Sequence, residues 1–286
     1  MSRAVRTRTM KAERRGSAVR SGVVLALILI GVLLPVYWMV LTSIKPNSEL
    51  YDAKSIMVVH HPTATHYVDL FATTDFARQL VNSFVVATSA TVITVVVGTL
   101  GAYSIAHLRY RGRSTAAAGI FFAYLVPPTL LLIPLYTVFA QLDILNRWAG
   151  LILAYLTLTV PFCTWMLRGY LQNVPWELEE AAMVDGCGRL RALRSVVLPL
   201  IAPGLTAGAL FSFTLAWNEY LYAFVFTNKS TAATAPVGLA SLVLGDVFLW
   251  GQIMAGAVVT AIPILLIYLF GQRFVVGGLT AGAVKG

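Results

Sequence analysis

The 286-residue chain is 58% hydrophobic and only 12% charged, with a mean hydropathy of +0.78. A soluble domain carries about 25% charged residues, so a large water-soluble core is excluded. The net charge of +9 would suit nucleic acid only if the basic residues were placed for it, and the two cysteines, Cys163 and Cys187, show no zinc or disulfide spacing.

In chain order, residues 1–21 form a basic arm carrying Arg3, Arg6, Arg8, Lys11, Arg14, Arg15 and Arg20. The arm is expected to be disordered and to meet anionic lipid head groups. A first apolar run follows at about 22–44, "GVVLALILIGVLLPVYWMVLTSI", without a charge. Further runs lie at about 80–106, 116–141, 148–167, Pro199 to 226 and 250–272, and residues 273–286 form a tail. Each is long enough for a bilayer, which takes roughly 20 apolar residues. Pro35, Pro127, Pro128, Pro134, Pro161, Pro203 and Pro263 interrupt these runs or lie at their breaks. Membrane helices tolerate proline because neighbouring elements satisfy the freed carbonyls. Six such runs rule out a single-pass anchor or signal peptide. The predicted fold is all-α, a polytopic membrane protein with six transmembrane helices over 22–272.

The basic residues orient the spans. With the N-terminus cytoplasmic, the inside segments hold the arm, Arg109, Arg111, Arg113, Arg168, Arg189, Arg191, Arg194, Arg273 and Lys285, sixteen of the 21 Lys and Arg. The outside loops hold only Lys45, Lys54, Arg78, Arg147 and Lys229. Both termini are therefore expected in the cytoplasm. Topology accounts for the positive charge, and a nucleic-acid partner is not expected.

One acid falls near a span, Glu219 in "LAWNEYLYAFVF". At ~1.5 Å per residue it stands ~30 Å beyond Pro199, near the outer surface. Either Trp217, Tyr220 and Tyr222 form an interfacial aromatic belt around it, or Asn218 and Glu219 belong to an outer gate or solute path, because intramembrane acids are functional suspects.

Four of the twelve acids gather in "NVPWELEEAAMVDGCGRL", in the connection at about 172–198 between the fourth and fifth spans. Pro175 suits a first helical turn, where its missing N–H costs nothing. Glu177, Glu179 and Glu180 lie where the helix dipole favours negative charge. Ala181 and Ala182 favour helix and leave a low surface; Asp185-Gly186 loosens or ends it, and Gly186 and Gly188 make room for close packing. The product is a short cytoplasmic helix with an acidic start. It either inserts into a groove on a partner or lies on the membrane surface.

Glu180-Ala181-Ala182, Asp185-Gly186 and Leu198-Pro199, in "EAAMVDGCGRLRALRSVVLPL", resemble the EAA signature of the membrane subunits of ATP-binding-cassette importers, in the form typical of sugar uptake. Cys187 stands where alanine is usual, and Leu193 where an aromatic residue is common. The resemblance covers nearly the whole chain: "LTSIKPNSELY", "NSFVVATSATVITVVVGTLGAYSIA", "VPPTLLLIPLY", "LAWNEYLYAFVF" and the ending "GLTAGAVKG" are similar to that family, the ending to the smaller permease of maltose-type importers.

This resemblance implies a permease that docks the 177–188 helix in a cleft of a separate ATPase subunit. Glu180 would pair with a basic residue there, Ala181, Ala182 and Gly186 would make close contact, and Asp185 would shape the turn. The tail at 280–286 would reach between two ATPases. The chain has no G-x-x-x-x-G-K-[ST] phosphate loop, so it is not expected to be an enzyme, and no cofactor or metal is expected. Implied partners are a second homologous permease forming a heterodimer, an ATPase pair, an extracytoplasmic solute-binding protein and membrane lipid, in a bacterial inner membrane. The outer loops 45–79 and 227–249 are candidate contacts for the binding protein or plain solvated connections, with the resemblance favouring the second loop. A sugar is the implied solute, consistent with nearly charge-free spans; no sugar-binding residue is assigned. Glycerol phosphate or another polar solute is the alternative, although no Arg or Lys lies well inside a span. An ion-coupled transporter would call for midplane acids or broken helices as ion sites.

Overall fold

The structure is a computed structural model that describes residues 2–52, 56–227, 231–244 and 247–283, with the backbone alone for 2–19, 244, 247 and 275–283. In chain order the helices are α1 (Ser2–Ser43), α2 (Asn47–Leu50), α3 (Thr65–Thr73), α4 (Phe76–His107), α5 (Arg113–Leu125), α6 (Pro128–Gln141), α7 (Trp148–Leu171), α8 (Trp176–Val184), α9 (Arg189–Ala192), α10 (Leu198–Leu200), α11 (Ala202–Asn218), α12 (Leu221–Phe226), α13 (Ala235–Ala240) and α14 (Trp250–Ala283). A π-helical turn, Leu193–Val197, joins α9 to α10, and a two-stranded hairpin pairs β1 (Val243–Leu244) with β2 (Val247–Phe248). The protein is an all-α membrane protein.

Among the described residues, four helices are long and apolar enough to cross a membrane: Arg20–Ser43 within α1, α4, α7 and Trp250–Phe274 within α14. Two bent pairs bring the number to six if each pair is one span. Arg113–Leu125 and Pro128–Gln141 meet at 97°. Val126, ahead of Pro127, is extended (ψ 121°), because a residue before proline is pushed out of the α region. Arg189–Leu200 and Ala202–Asn218 meet at 79°, with Pro199 and Pro203 flanking the bend. Proline explains both breaks, since it removes a helical donor and clashes with the preceding turn. Pro35, Pro134, Pro161 and Pro263 stay inside continuous helices.

The arm at 1–21, expected as disordered, is instead helical from Ser2 as the N-terminal part of α1. Extending an existing helix needs no new nucleus, and Ala, Arg, Lys and Glu propagate it well.

The chain divides into two compact units, residues 1–72 with 247–258, and 73–246 with 259–286. In the first, none of the most apolar stretch of Arg20–Ser43 is buried. The segment after α1 is tightly bonded rather than a plain solvated connection. The Glu49 carboxylate accepts the backbone N–H groups of His60 and His61, both at 3.0 Å. The His66 ring bonds the Lys45 carbonyl at 2.7 Å, and Lys45 Nζ donates to the Ile56 carbonyl at 3.1 Å.

In the second unit α4 packs most extensively on α7, and α11 covers both. In lipid such association comes from close packing and interhelical hydrogen bonds. Both devices are present. Thr94 and Thr159 share a buried hydroxyl–hydroxyl bond of 2.6 Å across α4 and α7. A Cβ added at Gly208 would lie 3.1 Å from Cys163 Sγ, so the missing side chain sets the approach of α11 to α7. Val86, Leu151, Tyr155, Trp217 and Tyr222 are buried in this bundle. At one end Asn82 donates to the carbonyls of Thr231 and Ala233 at 3.2 and 2.8 Å and accepts from Trp148 Nε1 at 3.1 Å. These bonds seat the start of the 231–240 segment on α4. Residues 228–230, with Lys229, and 245–246 of the same loop lie outside the described residues, as does Lys54.

Candidate functional site

The acidic helix forms as α8, with Pro175 one residue before it at the N-cap. At nine residues it is too short to be stable alone, so its caps and packing decide its position. At its end Gly186 has φ 89°, the left-handed region that other L-residues avoid. The Gly186 N–H reaches the Met183 carbonyl at 3.1 Å and the Cys187 N–H reaches the Ala182 carbonyl at 3.0 Å. These two bonds are a Schellman stop with glycine at C′. No heavy atom lies within 4 Å of where a Cβ at Gly186 would stand, so in this chain the glycine is needed for its backbone angle rather than for packing space.

The two faces of α8 differ sharply. Glu177, Glu180, Ala181, Val184, Asp185 and Gly186 are exposed, and Ala182 is half-buried. Val184 is 86% exposed, an unusual position for a large aliphatic side chain that lacks a partner in its own chain. On the other face Glu179 is only 5% exposed. Tyr103 Oη donates to its Oε1, and His107 Nδ1 lies 2.9 Å from Oε2. The other nitrogen of His107 stands 3.2 Å from the Leu171 carbonyl at the end of α7. Tyr103 and His107 are one turn apart on α4 and stack at 5.4 Å. Arg109 lies 5.1 Å from the centre of the Trp176 ring, a second grip one turn earlier on α8. Arg189 approaches Glu179 at 4.0 Å but is 60% exposed, where an ion pair contributes little. A cavity of about 210 Å³ lies between these groups, lined by His107, Trp176, Glu179, Glu180 and Met183 with the two arginines.

The expected set of Glu180, Ala181, Asp185 and Gly186 thus shares one open surface, with Ala182 at its edge. Glu179 stood in the sequence only as one of three first-turn carboxylates. Nothing local separated it from Glu180, because its partners lie 76 and 72 residues away in α4.

Asn218 ends α11, exposed, with its amide on the Thr214 carbonyl at 2.9 Å. Glu219 follows in extended backbone and folds its carboxylate onto the N–H groups of Tyr222 and Ala223 at 2.9 and 3.1 Å. It therefore ends one helix and caps the next, as carboxylates at helix starts do. Tyr222 Oη donates to the Pro128 carbonyl at 2.9 Å, joining this break to the one at the start of α6. Trp217 is 1% exposed and donates to the Thr260 carbonyl at 3.2 Å. Trp217 and Tyr222 are core residues, so an aromatic belt of the three is not formed; Tyr220 alone is exposed. Glu219 is then not a head-group acid ringed by belt aromatics.

The tail at 280–286 continues as helical backbone to Ala283, and 284–286 lie outside the described residues. Among the described residues no three His, Cys, Asp or Glu side chains gather as a metal ligand set.

The chain is 38% identical over 264 residues to an inner membrane ABC transporter permease protein of Escherichia coli, YcjP, covering 92% of this chain and 94% of that one. It is 38% identical over 259 residues to the permease protein DasC of a diacetylchitobiose uptake system in Streptomyces coelicolor, covering 90% and 93%. It shares its fold with a solved chain of a bacterial ABC transporter involved in import of the polysaccharide alginate, at a TM-score of 0.79 and 20% identity, over 91% of this chain and 97% of that one. Residues 10–278 match the model of the family described as binding-protein-dependent transport system inner membrane component. A match that spans nearly every helix described above, the exposed acidic helix included, makes this chain a member of that family of inner-membrane transport components.

Proposed function

We infer that the chain is the permease subunit of an ATP-driven importer that carries a sugar into a bacterial cell. It crosses the inner membrane six times with both termini inside, and α8 couples it to a separate ATPase subunit. One observation carries this reading: α8 is held on one face by its own chain and offers Glu180, Ala181 and Val184 on the other. A surface with an acid, a flat methyl and an exposed aliphatic group fits a groove with a basic residue, and Gly186 keeps the exit of the helix low. A helix lying flat on the membrane would turn its apolar side to lipid rather than mix it with a carboxylate.

The second permease would pair with this one as a heterodimer, two ATPases would take α8 and its counterpart, and the 280–286 tail would run between them. A solute-binding protein would meet the outer loops, above all 227–249, whose 231–240 portion rests on Asn82. Asn218 and Glu219 would form part of an outer gate, since they hold a break in a span and Tyr222 ties that break to another. The sugar follows from the diacetylchitobiose system among the relatives and from spans nearly free of charge.

The test is a purified complex carrying Glu180→Lys or Gly186→Val. The first opposes the charge of the docking face; the second forces a β-branched residue into a left-handed angle, at a cost of roughly 1–2 kcal/mol. Both variants are expected to lose the ATPase subunits on purification, and cells to lose uptake of a labelled panel of diacetylchitobiose, trehalose and maltose. Retention of the ATPase and of uptake in both variants would refute the coupling role.

A further inference from the structure

α8 is joined to the bundle through two irregular segments, Gln172–Pro175 before it and Asp185–Gly188 after it. Both are short, and one contains a residue at positive φ. A nine-residue helix on two such joints would swivel under load, so its covalent connections alone do not carry a displacement to a transmembrane helix. Beyond the packing of α8 on α9 and on the π-helical turn that follow it, what ties it to α4 is the carboxylate of Glu179. Each of its oxygens is taken by α4, one by Tyr103 and the other by His107, and His107 also reaches Leu171 at the end of α7. Three helices meet at the Glu179–His107 pair. Arg109 over Trp176 adds a grip one turn away, and two grips on one face stop rotation about the helix axis.

The choice of a carboxylate is informative. Burying one is costly unless it is fully bonded, and an apolar residue would pack there at lower cost. Apolar contact is non-directional and lets surfaces slide; hydrogen bonds to two fixed donors do not. A site that accepts the desolvation cost for two directed bonds is built to hold an orientation.

We propose that Glu179 is a positioning residue which, through Tyr103 and His107, locks α8 to the end of α4 so that movement of the docked helix is delivered to that span. This rests on α8 being the docking element, and it adds the linkage that makes docking productive. Glu180 holds the ATPase; Glu179 passes the movement on.

The experiment uses the full complex with its ATPase subunits, nitroxide labels at Arg111→Cys and Leu178→Cys, both exposed and outside the docking face, and Cys187→Ser to clear the half-buried native thiol; Cys163 is buried. Distances are measured without nucleotide and after trapping with MgATP and vanadate. In the otherwise native chain one narrow distance is expected in both states. Tyr103→Phe, which removes a single hydroxyl, is expected to keep the ATPase subunits bound yet lose the constant distance on trapping. Glu179→Ala should do so more fully, and Glu179→Gln, whose amide oxygen still accepts from Tyr103, should restore most of it. A distance as constant in Tyr103→Phe and Glu179→Ala as in the parent overturns the proposal, as does a parent distance that itself changes on trapping. Loss of the ATPase from Tyr103→Phe also overturns it, since Glu179 would then belong to the docking surface. Failure of the coupling reading is seen separately, as retention of the ATPase by Glu180→Lys.

Discussion

Glu179 and Glu219 are both carboxylates withdrawn from bulk solvent, and they are held in opposite ways. The Glu219 carboxylate bonds backbone N–H groups three and four residues ahead in its own segment, and from farther off Tyr155 Oη donates only a long bond, 3.5 Å, to the Glu219 carbonyl. Glu179 bonds side chains 76 and 72 residues back, on another helix. A local cap shapes the chain: it ends α11, starts α12 and sets the break between them. A distant clamp shapes an assembly of helices, because it fixes one element against another. The same functional group therefore serves as punctuation in one region and as a fastener in the other.

The difference can be tested by removing each carboxylate and its nearest surface neighbour. Glu179→Ala should have the largest effect, about 2–4 kcal/mol, because it leaves the buried ring of His107 and the hydroxyl of Tyr103 without their acceptor. A thermal unfolding midpoint of the purified complex within error of the parent would show that the clamp is not formed. Glu219→Ala should cost about 1 kcal/mol, the usual loss of a helix cap, with Glu219→Gln in between; a loss as large as that of Glu179→Ala in the same assay would mean that the approach of Tyr155 to Glu219 outweighs the cap. Arg189→Ala should be nearly silent, below about 0.5 kcal/mol, because its 4.0 Å contact with Glu179 is mostly solvated. If added salt weakens the parent toward the Arg189 variant, the long ion pair contributes more than its geometry suggests.

Much of this molecule is legible without coordinates. The apolar runs and the acidic helix follow from neighbours within a turn or two, whereas the prolines of the third and fifth runs, expected to be tolerated within single helices, bend them by 97° and 79°. Asp185-Gly186 suggests a helix that loosens or ends there, and the Schellman bonds and φ of 89° show that it ends. The aromatic side chains of the "WNEY" stretch were less legible. Trp217 and Tyr222 suited a head-group belt by composition, yet their positions on α11 and α12 point them into the bundle, where Thr260 and Pro128 accept their hydrogen bonds. The arm ahead of the first span differs for a related reason: its charge suggests disorder, while helix propagation from α1 is the stronger influence.

The sequence by itself determined where the long apolar helices lie and that a small acid-headed helix follows the fourth apolar run, because hydropathy, proline and glycine act over a few residues. Only the tertiary structure separated Glu179 from Glu180. Adjacent residues on a helix point about 100° apart, and which of them meets α4 depends on how two helices more than seventy residues apart come together.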